Sequence, residues 1–280
     1  MTDRNHRIVF KLTTFNILRD GIGEGGDRRK RIAALISRHN PDVLCMQEGG
    51  DDACWRGMAD EQGFKYVQNI PGEFQPALFS KLPVKQVATH SGVKFVYFQV
   101  DLGRFTLGVY SIHLMHWPPA EGERIAALRK LLALMQVQGD AFVCIAGDFN
   151  SRARGEQGLA FGVLQCIATF NKCVIGPYDW TRATDSMAMA GFIDCYRRKN
   201  QTSGYSLHPL TDGASQQGAP IPKDHLIRIG DRLMMPPVVR IDYVFANPAL
   251  AERLTQCELD DSDEALQASD HLPLVATFKL

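Results

Sequence analysis

The chain has 280 residues, of which 45% are hydrophobic and 22% are charged, a composition that excludes a disordered or fibrous protein. It carries 31 Lys plus Arg and 31 Asp plus Glu residues, so its formal net charge is zero. This balance excludes a polybasic protein that binds nucleic acid through its overall charge, and any such binding has to come from a local patch.

Seven cysteines are scattered along the chain without a Cys-x-x-Cys pair, which indicates neither a disulfide framework nor a zinc ribbon and favours a reducing compartment. The chain begins with charged residues where a secretory signal is apolar, and no stretch approaches the roughly 18 apolar residues of a membrane span. We therefore expect a cytoplasmic protein with no stable membrane association. The sequence does not predict its oligomeric state.

The first part of the chain predicts a strand, a helix and a second strand. Residues 7–15 are rich in β-branched and aromatic side chains, which is typical of a strand. A helix is expected to begin with Asp27 as its N-cap and to end before Pro41. Its basic run 28–31 can contact phosphate, but a solvated helix face is favoured. The nearly continuous apolar run over 42–47 predicts a buried strand.

The middle of the chain predicts antiparallel strands between two helices. A helix over 52–62 is expected to end at Gly63. Short β-rich runs punctuated by Pro or Gly then continue from 64 to 113, with a hairpin turn at 101–104. The apolar stripe over 121–138 predicts the strongest helix of the chain.

The rest of the chain carries weaker signals. The expected elements are strands over 141–146, 238–245 and 272–278, a helix near 158–169, and long surface loops over 203–237.

Polar residues stand at or beside the ends of separate apolar strands. They are Asn16, Glu48, His113, Asp148, Asn150, Asp242, Asp270 and His271. Any one of them alone more often forms a turn or a cap, but strand ends are also where a rigid scaffold presents side chains into a cleft. Because these residues come from both ends and the middle of the chain, they meet only if residues 1–280 fold as a single domain.

These residue types together indicate metal-assisted hydrolysis of a phosphate ester. Carboxylates such as Glu48 and Asp270 are hard oxygen ligands that suit Mg²⁺ or Mn²⁺. The neutral amides of Asn16 and Asn150 can donate to a phosphate oxygen without adding negative charge.

An imidazole paired with a carboxylate, here His271 with Asp242, can donate to the charge that develops on a transferring phosphoryl group. Clustered thiolates and a Gly-x-Ser-x-Gly turn, which indicate zinc binding or acyl transfer, are absent from the sequence.

Six short segments surround these residues. In chain order they are Thr14-Phe15-Asn16-Ile17-Leu18, Cys45-Met46-Gln47-Glu48, Ser111-Ile112-His113-Leu114, Gly147-Asp148-Phe149-Asn150-Ser151, Arg240-Ile241-Asp242-Tyr243-Val244-Phe245 and Ser269-Asp270-His271-Leu272-Pro273-Leu274. This ordered set spans residues 16–274 and resembles the motifs of the endonuclease/exonuclease/phosphatase superfamily. Each motif is short, but the ordered set is highly specific.

The resemblance implies an α/β fold, a four-layered α/β sandwich in which two mixed β-sheets pack face to face with helices on the outside. It also implies a divalent-metal site, for Mg²⁺ or Mn²⁺, at one end of the sheets. Glu48 would hold the metal, with Asn16 and Asp270 beside it.

The same resemblance implies catalytic roles. Asp148 would orient or deprotonate the attacking water, and Asn150 would position the phosphate. His271 would stabilise the transition state, with its tautomer kept by Asp242. His113 would contact the phosphate or assist the leaving group.

His113 also bears on the branch of the superfamily. The abasic-site endonuclease branch typically carries tyrosine at this position, whereas the deoxyribonuclease-like, sphingomyelinase-like, phosphoinositide-phosphatase and deadenylase branches carry histidine. Base-excision repair is therefore less favoured. The sequences of the motifs around Asn16, Asp148 and Asp270 are similar to those of the deadenylase-like branch, although generic bacterial members share them.

Residues that set specificity are harder to identify. Arg152 and Arg154 follow the Asp148 motif and either grip a second phosphate as bidentate donors or stay exposed in a loop. Asp194 is expected to cap or bond backbone, and the acidic stretch 258–264 is expected to be a solvated loop.

Three functions compete. The first is a Mg²⁺- or Mn²⁺-dependent phosphodiesterase that acts on nucleic acid or a nucleotide-like substrate by in-line attack of a water activated by Asp148. The second is a phosphomonoesterase or phospholipase-type hydrolase of an inositol phosphate, sugar phosphate or sphingolipid. The third is a catalytically silent binding scaffold, which predicts decay of the site, whereas all eight strand-end positions keep the pattern.

Overall fold

The strands of the computed structural model form two six-stranded sheets and a separate hairpin. The structure describes residues 8–23, 26–49, 53–72, 74–116, 120–155, 181–208, 227–229, 232–234 and 239–280. The helix expected near 158–169 and most of the loop region expected over 203–237 lie outside the described residues.

The first sheet has the strand order β13-β14-β1-β2-β4-β3. Its strands are β1 (Val9–Asn16), β2 (Val43–Gln47), β3 (Tyr66–Asn69), β4 (Pro76–Ser80), β13 (Leu254–Leu259) and β14 (Leu274–Lys279). The central pair β1 and β2 is parallel, and the other pairs are antiparallel.

The second sheet has the strand order β5-β6-β7-β8-β12-β9. Its strands are β5 (Val84–His90), β6 (Phe95–Asp101), β7 (Thr106–His113), β8 (Phe142–Asp148), β9 (Ile193–Asp194) and β12 (Asp242–Ala246). Here the parallel pair is β7 and β8. The strands β10 (Ile227–Ile229) and β11 (Arg232–Met234) form the separate hairpin.

The helices lie outside the sheets. Within the described part of the chain they are α1 (Arg29–His39), α2 (Ala53–Glu61), α3 (Glu121–Gln138), α4 (Arg182–Met189), α5 (Cys195–Lys199), α6 (Pro248–Ala251) and α7 (Asp263–Leu266). Among the described residues, no helix combines the length and the apolar character needed to cross a membrane.

Three apolar clusters define the layers. The central cluster joins side chains of both sheets, such as Phe10 and Cys144. On the outer face of the first sheet, Trp55 of α2 packs with residues of α1, and on the outer face of the second sheet, Leu128 of α3 packs with Met187 of α4. The result is the helix, sheet, sheet, helix sandwich that the sequence implied. Because strands such as β2 are buried on both faces, they are apolar throughout instead of alternating.

The observed bounds match the stronger sequence signals. Helix α3 spans the expected residues 121–138, and α1 ends at His39 with Asn40 in the left-handed conformation. Arg28 takes the N-cap position of α1, one residue after Asp27, whose carboxylate accepts from the Arg29 N–H at 3.1 Å.

The strands over 64–113 pair antiparallel as expected, and they divide between the sheets: β3 and β4 join the first and β5 to β7 join the second. One expectation needs correction. The acidic stretch 258–264 is not a loop throughout: it begins at the end of β13 and ends in α7. Pairing of β13 with β14 and capping of α7 by Ser262 order this stretch despite its charge.

Candidate functional site

The parallel pair of the first sheet places Asn16 next to Glu48. Asn16 ends β1 and stands opposite Gln47, the last residue of β2, so Glu48 follows directly. Parallel strands run in one direction, and their carboxyl ends therefore meet at the same sheet edge. The Glu48 N–H donates to the carbonyl of Gln75 at 3.1 Å, which binds the loop between β3 and β4 to this edge.

The second sheet brings three polar residues into register. His113 stands opposite Asp148 in the parallel pair, and Asp242 stands opposite Asp148 in the antiparallel pair. The close approach of β8 to β7 requires Gly147, which has φ 146°, because a Cβ there would lie 2.0 Å from the Ile112 carbonyl oxygen.

The Asn16 amide joins the two sheet edges. Its Nδ2 atom donates to Glu48 Oε1 and to Asp148 Oδ2, both at 3.1 Å. His113 Nε2 faces the same two carboxylates, at 3.9 Å from Glu48 Oε1 and 3.6 Å from Asp148 Oδ2. Four sequence-predicted site residues therefore surround one small polar space.

A strained turn fixes the Glu48 carboxylate. Leu18, Arg19 and Asp20 have φ angles of 51°, 49° and 57°, and Glu48 itself has φ 60°. This left-handed conformation is unfavourable by about 1–2 kcal/mol for each non-glycine residue. It is held by hydrogen bonds from the Arg19 N–H to Glu48 Oε2 at 3.0 Å and from the Asp20 N–H to the Glu48 carbonyl at 2.7 Å. Backbone strain of this kind clusters at functional sites.

Arg28 contradicts the expectation of a solvated basic face. Its side chain is buried, and its guanidinium donates to the carbonyls of Ile17 at 3.3 Å, Leu18 at 2.9 Å and Ala268 at 2.5 Å. A charged side chain is buried here because these carbonyls, at irregular chain segments, need donors. Arg28 thus joins the segment after Asn16 to the segment before Asp270.

His271 is held by a buried chain of hydrogen bonds. Its Nδ1 atom lies 2.8 Å from Asp242 Oδ2, which also accepts from Ser206 Oγ at 2.6 Å. Ser206 Oγ in turn accepts from two consecutive backbone N–H groups at the start of β12, both at 3.0 Å. The free side of the ring, Nε2, lies 3.9 Å from Asp148 Oδ2 and 4.0 Å from Asp270 Oδ1.

Two polar features of the site were not predicted from sequence. Ser206 lies within the stretch expected to be surface loop, yet it is fully buried. Below the site, Thr14 Oγ1 donates to Gln47 Oε1 at 3.2 Å, and Gln47 Nε2 donates to Ser111 Oγ at 3.4 Å, so a polar bridge crosses between the sheets. Gln47 and Ser111 belong to the quoted motifs, but no local pattern pairs them.

The residues after Asp148 divide into two groups. Asn150 has φ 48°, its N–H donates to Asp148 Oδ1 at 2.7 Å and its Nδ2 donates to the Leu114 carbonyl at 3.1 Å. Arg152 is buried, whereas the exposed Arg154 pairs with Asp185 of α4 at 2.6 Å. The structure therefore brings Asn150 to the site and places Arg154 against α4.

The sequence match agrees with this geometry. The model of the endonuclease/exonuclease/phosphatase family matches residues 13–271. The chain belongs to this family. Its members are hydrolases that act on phosphate ester bonds and depend on divalent metals.

Solved structures share the fold of this family member. An AP endonuclease from Archaeoglobus fulgidus is 20% identical, with a TM-score of 0.64 over 97% of this chain and 100% of that one. A humanized D. rerio TDP2 is 17% identical, with a TM-score of 0.63 over 97% and 99% of the two chains. The 3′ phosphatase NExo from Neisseria, bound to product DNA hairpin, is 15% identical, with a TM-score of 0.65 over 97% and 100%. No curated protein sequence matches the chain.

Burial and the charges of neighbouring side chains set the charge states of the site residues. Burial and the Asp242 charge raise the pKa of Asp148 to about 8, and burial likewise raises the pKa of Asp270. Burial lowers the pKa of His113 to about 3, so this ring is neutral. Burial also opposes a charged His271, but the Asp242 and Asp270 carboxylates outweigh it and hold its pKa well above the ordinary value.

The side chains fit a divalent cation. Crowded carboxylates whose pKa values are raised are the environment that a cation stabilises, and carboxylate oxygens are the ligands that Mg²⁺ and Mn²⁺ prefer. Ligand atoms of Asp148, Asp242 and His271 also lie within 4.8 Å of one another. In this group, His271 Nδ1 and Asp242 Oδ2 are already bonded to each other.

Proposed function

We propose that the chain is a divalent-metal-dependent phosphodiesterase that acts on nucleic acid or a nucleotide-like substrate. The observation that carries the proposal is the Asn16 amide, which donates to Glu48 and Asp148 at once. It holds Glu48, whose carboxylate is suited to bind a metal, and Asp148, whose carboxylate is suited to orient a water, on two sides of one small polar space. The names of the similar structures, an AP endonuclease and a 3′ phosphatase bound to DNA, support a substrate of this class.

Glu48 and Asp270 would hold Mg²⁺ or Mn²⁺, with Asn16 beside them. When bound, the ion neutralises the phosphate and polarises its oxygens. The Glu48 carboxylate is fixed for this role by the Asn16 amide on one oxygen and the Arg19 N–H on the other. Arg28 fixes the backbone before Asp270.

Asp148 would orient the attacking water and accept its proton. Its two oxygens accept from the Asn16 amide and from the Asn150 N–H, which fixes the carboxylate for this role. As the water oxygen forms its bond to phosphorus, the bond to the leaving oxygen breaks on the opposite side. Asn150, held by its N–H bond to Asp148, would position the phosphate.

The two histidines would act differently. The Phe74 carbonyl, 2.9 Å from His113 Nδ1, can only accept, so the hydrogen of the neutral His113 ring lies on Nδ1 and Nε2 carries a lone pair. His113 would therefore accept a hydrogen bond from the water. His271 is held charged by Asp242 and would donate from Nε2 to a phosphate oxygen in the transition state.

The sequence also predicts phosphate contacts by Arg152 and Arg154, a single domain and a cytoplasmic location, and these stay predictions.

The test is a hydrolysis panel with Mg²⁺, Mn²⁺ or chelator over single-stranded RNA, single-stranded and duplex DNA, sphingomyelin, inositol phosphates and an aryl phosphodiester.

Asp148→Ala should abolish turnover and leave the fold intact, while Asp101→Asn, in an exposed hairpin, should match the wild type. Glu48→Gln should raise the metal concentration needed for half activity. Release of inorganic phosphate or phosphocholine, with no diester cleaved in nucleic acid, would favour the second hypothesis instead.

A further inference from the structure

The loop between β3 and β4 is bonded to the site at two points. The Phe74 carbonyl accepts from His113 Nδ1 at 2.9 Å, and the Gln75 carbonyl accepts from the Glu48 N–H at 3.1 Å. The backbone of Phe74 is therefore fixed relative to the residues proposed to bind the metal and the water.

Phe74 has an unusual backbone and an unusual environment for its size. Its φ is 56°, a conformation that bulky side chains rarely adopt outside functional sites. Its ring is half-buried, and within the described ranges it packs against none of the three core clusters. A buried core role therefore does not explain this residue.

The Phe74 ring contacts an exposed imidazole instead. The ring centroids of Phe74 and His116 lie 6.1 Å apart, and the planes are tilted by 32°. His116 lies three residues after His113, the last residue of β7, and the Phe74 carbonyl is bonded to the His113 ring. Two aromatic rings anchored to His113 in this way form a surface on which a planar group can stack.

We propose that Phe74 and His116 determine specificity by stacking a planar aromatic group that is attached to the scissile phosphate. This inference rests on the proposed function, because it takes the scissile phosphate to lie beside the water that His113 would bind. A nucleobase and a simple aryl ester offer the same chemistry, a flat π-surface a few bonds from phosphorus. An aliphatic phosphate ester lacks this surface and would bind through its phosphate alone.

The test is a binding measurement that does not depend on turnover. Calorimetry in Mg²⁺ compares three ligands whose C–P bonds resist hydrolysis: methylphosphonate, phenylphosphonate and the methylene phosphonate analogue of thymidine 5′-monophosphate. The wild type should bind at least one aromatic ligand about ten-fold more tightly than methylphosphonate. A preference for the thymidine ligand identifies a nucleobase, and an equal preference for phenylphosphonate identifies any aryl group.

Variants distinguish the effect of the Phe74 ring from the effect of the backbone conformation of its loop. Phe74→Ala keeps the backbone strain and Phe74→Gly relieves it, yet both should lose the aromatic preference, and Phe74→Trp should restore it. His116→Ala should reduce the preference. Phe105→Ala, which removes an exposed ring of the hairpin before β7, is the matched control and should leave it unchanged.

The outcomes distinguish this inference from the proposed function. If Phe74→Ala binds all three ligands as the wild type does, or if the wild type shows no aromatic preference, the stacking role is overturned even where diesters are hydrolysed. If the aromatic preference depends on Phe74 but no diester in the hydrolysis panel is cleaved, the stacking role stands and the proposed phosphodiesterase activity is wrong.

Discussion

The Arg28 guanidinium donates a hydrogen bond to the carbonyl of Ala268, a residue 240 positions further along the chain. The same guanidinium also binds the carbonyls of Ile17 and Leu18. These contacts fix the two chain segments that carry Asn16 and Asp270 relative to each other. The distance between the proposed metal ligands thus depends on a side chain that contacts no substrate.

Arg28→Lys should weaken metal binding more than it weakens catalysis at saturating metal. A lysine ammonium is a compact charge and does not reproduce the planar fork that reaches three carbonyls. We expect about a ten-fold rise in the Mn²⁺ dissociation constant by calorimetry and a loss of about 1–3 kcal/mol in the free energy of unfolding. Arg31→Lys, on helix α1 at a side chain that donates to the Gln267 carbonyl, is the control. Equal Mn²⁺ affinity in both variants would remove Arg28 from its positioning role.

Arg28 also shows why part of the site could not be predicted from the sequence. Asn16 and Asp148 end β1 and β8, Glu48 follows β2 and Asp242 begins β12, so a local pattern is enough to place all four at strand ends. The partner carbonyls of Arg28 lie 10, 11 and 240 residues away in the chain, outside the helix that begins there, and its basic neighbours suggested a solvated face.

The same reason applies to other elements. Ser206 lies in a polar stretch, and its burial depends on contacts with β12 and Asp242. Short elements such as α4, α5 and β13 lack a long hydrophobic period, and tertiary pairing determines them. By contrast, α3 is long, and its buried Ile125, Leu128 and Leu131 recur at helical spacing, which is enough to predict a helix over 121–138.

Ser206→Ala should lower kcat and leave metal affinity unchanged. The Ser206 hydroxyl donates to the Asp242 oxygen that holds His271, so its loss leaves this carboxylate and two backbone N–H groups less restrained. We expect roughly a ten-fold fall in kcat, which corresponds to about 1.4 kcal/mol. Steady-state kinetics at saturating Mg²⁺ tests this.

Ser186→Ala is the matched control, because Ser186 donates from the exposed surface of α4 to the carbonyl of Arg182. A kcat equal to that of the wild type in Ser206→Ala, with His271→Ala inactive, would show that Asp242 alone orients the imidazole.

The stabilising contribution of the Asp260 carboxylate to the free energy of unfolding should be lost in acid. Burial opposes its charge, but hydrogen bonds from His39 and Ser262 and the Arg38 pair hold the pKa of Asp260 well below its ordinary value. A carboxylate whose pKa is depressed by folding stabilises the protein above its unfolded pKa of roughly 4, and this contribution is lost as pH falls towards the folded value.

Urea unfolding at pH 6, 4 and 3 measures this contribution. Asp260→Asn should be less stable than the wild type at pH 6, and the difference should narrow at pH 3. Asp261→Asn, at the exposed neighbouring position, should follow the wild type at each pH. A constant difference between wild type and Asp260→Asn over the three pH values would contradict the assigned pKa shift.

Gly147→Ala should disrupt both stability and the site. A Cβ at this position would lie 2.0 Å from the Ile112 carbonyl oxygen, and φ 146° is strained for any side chain. Strand β8 would have to move away from β7, which separates Asp148 from His113, its partner in the register. We expect a loss of about 3 kcal/mol or more in the free energy of unfolding.

Gly122→Ala gives the opposite expectation and serves as the control. Gly122 lies in α3, and a Cβ there would meet nothing within 4 Å. Alanine should therefore stabilise the helix by roughly 0.5–1 kcal/mol. If urea unfolding shows Gly147→Ala to be as stable as the wild type, β8 does not approach β7 this closely. Among the described glycines, only Gly147 would place a Cβ this close to a backbone carbonyl oxygen. No other described glycine could then account for the close spacing of Asp148 and His113.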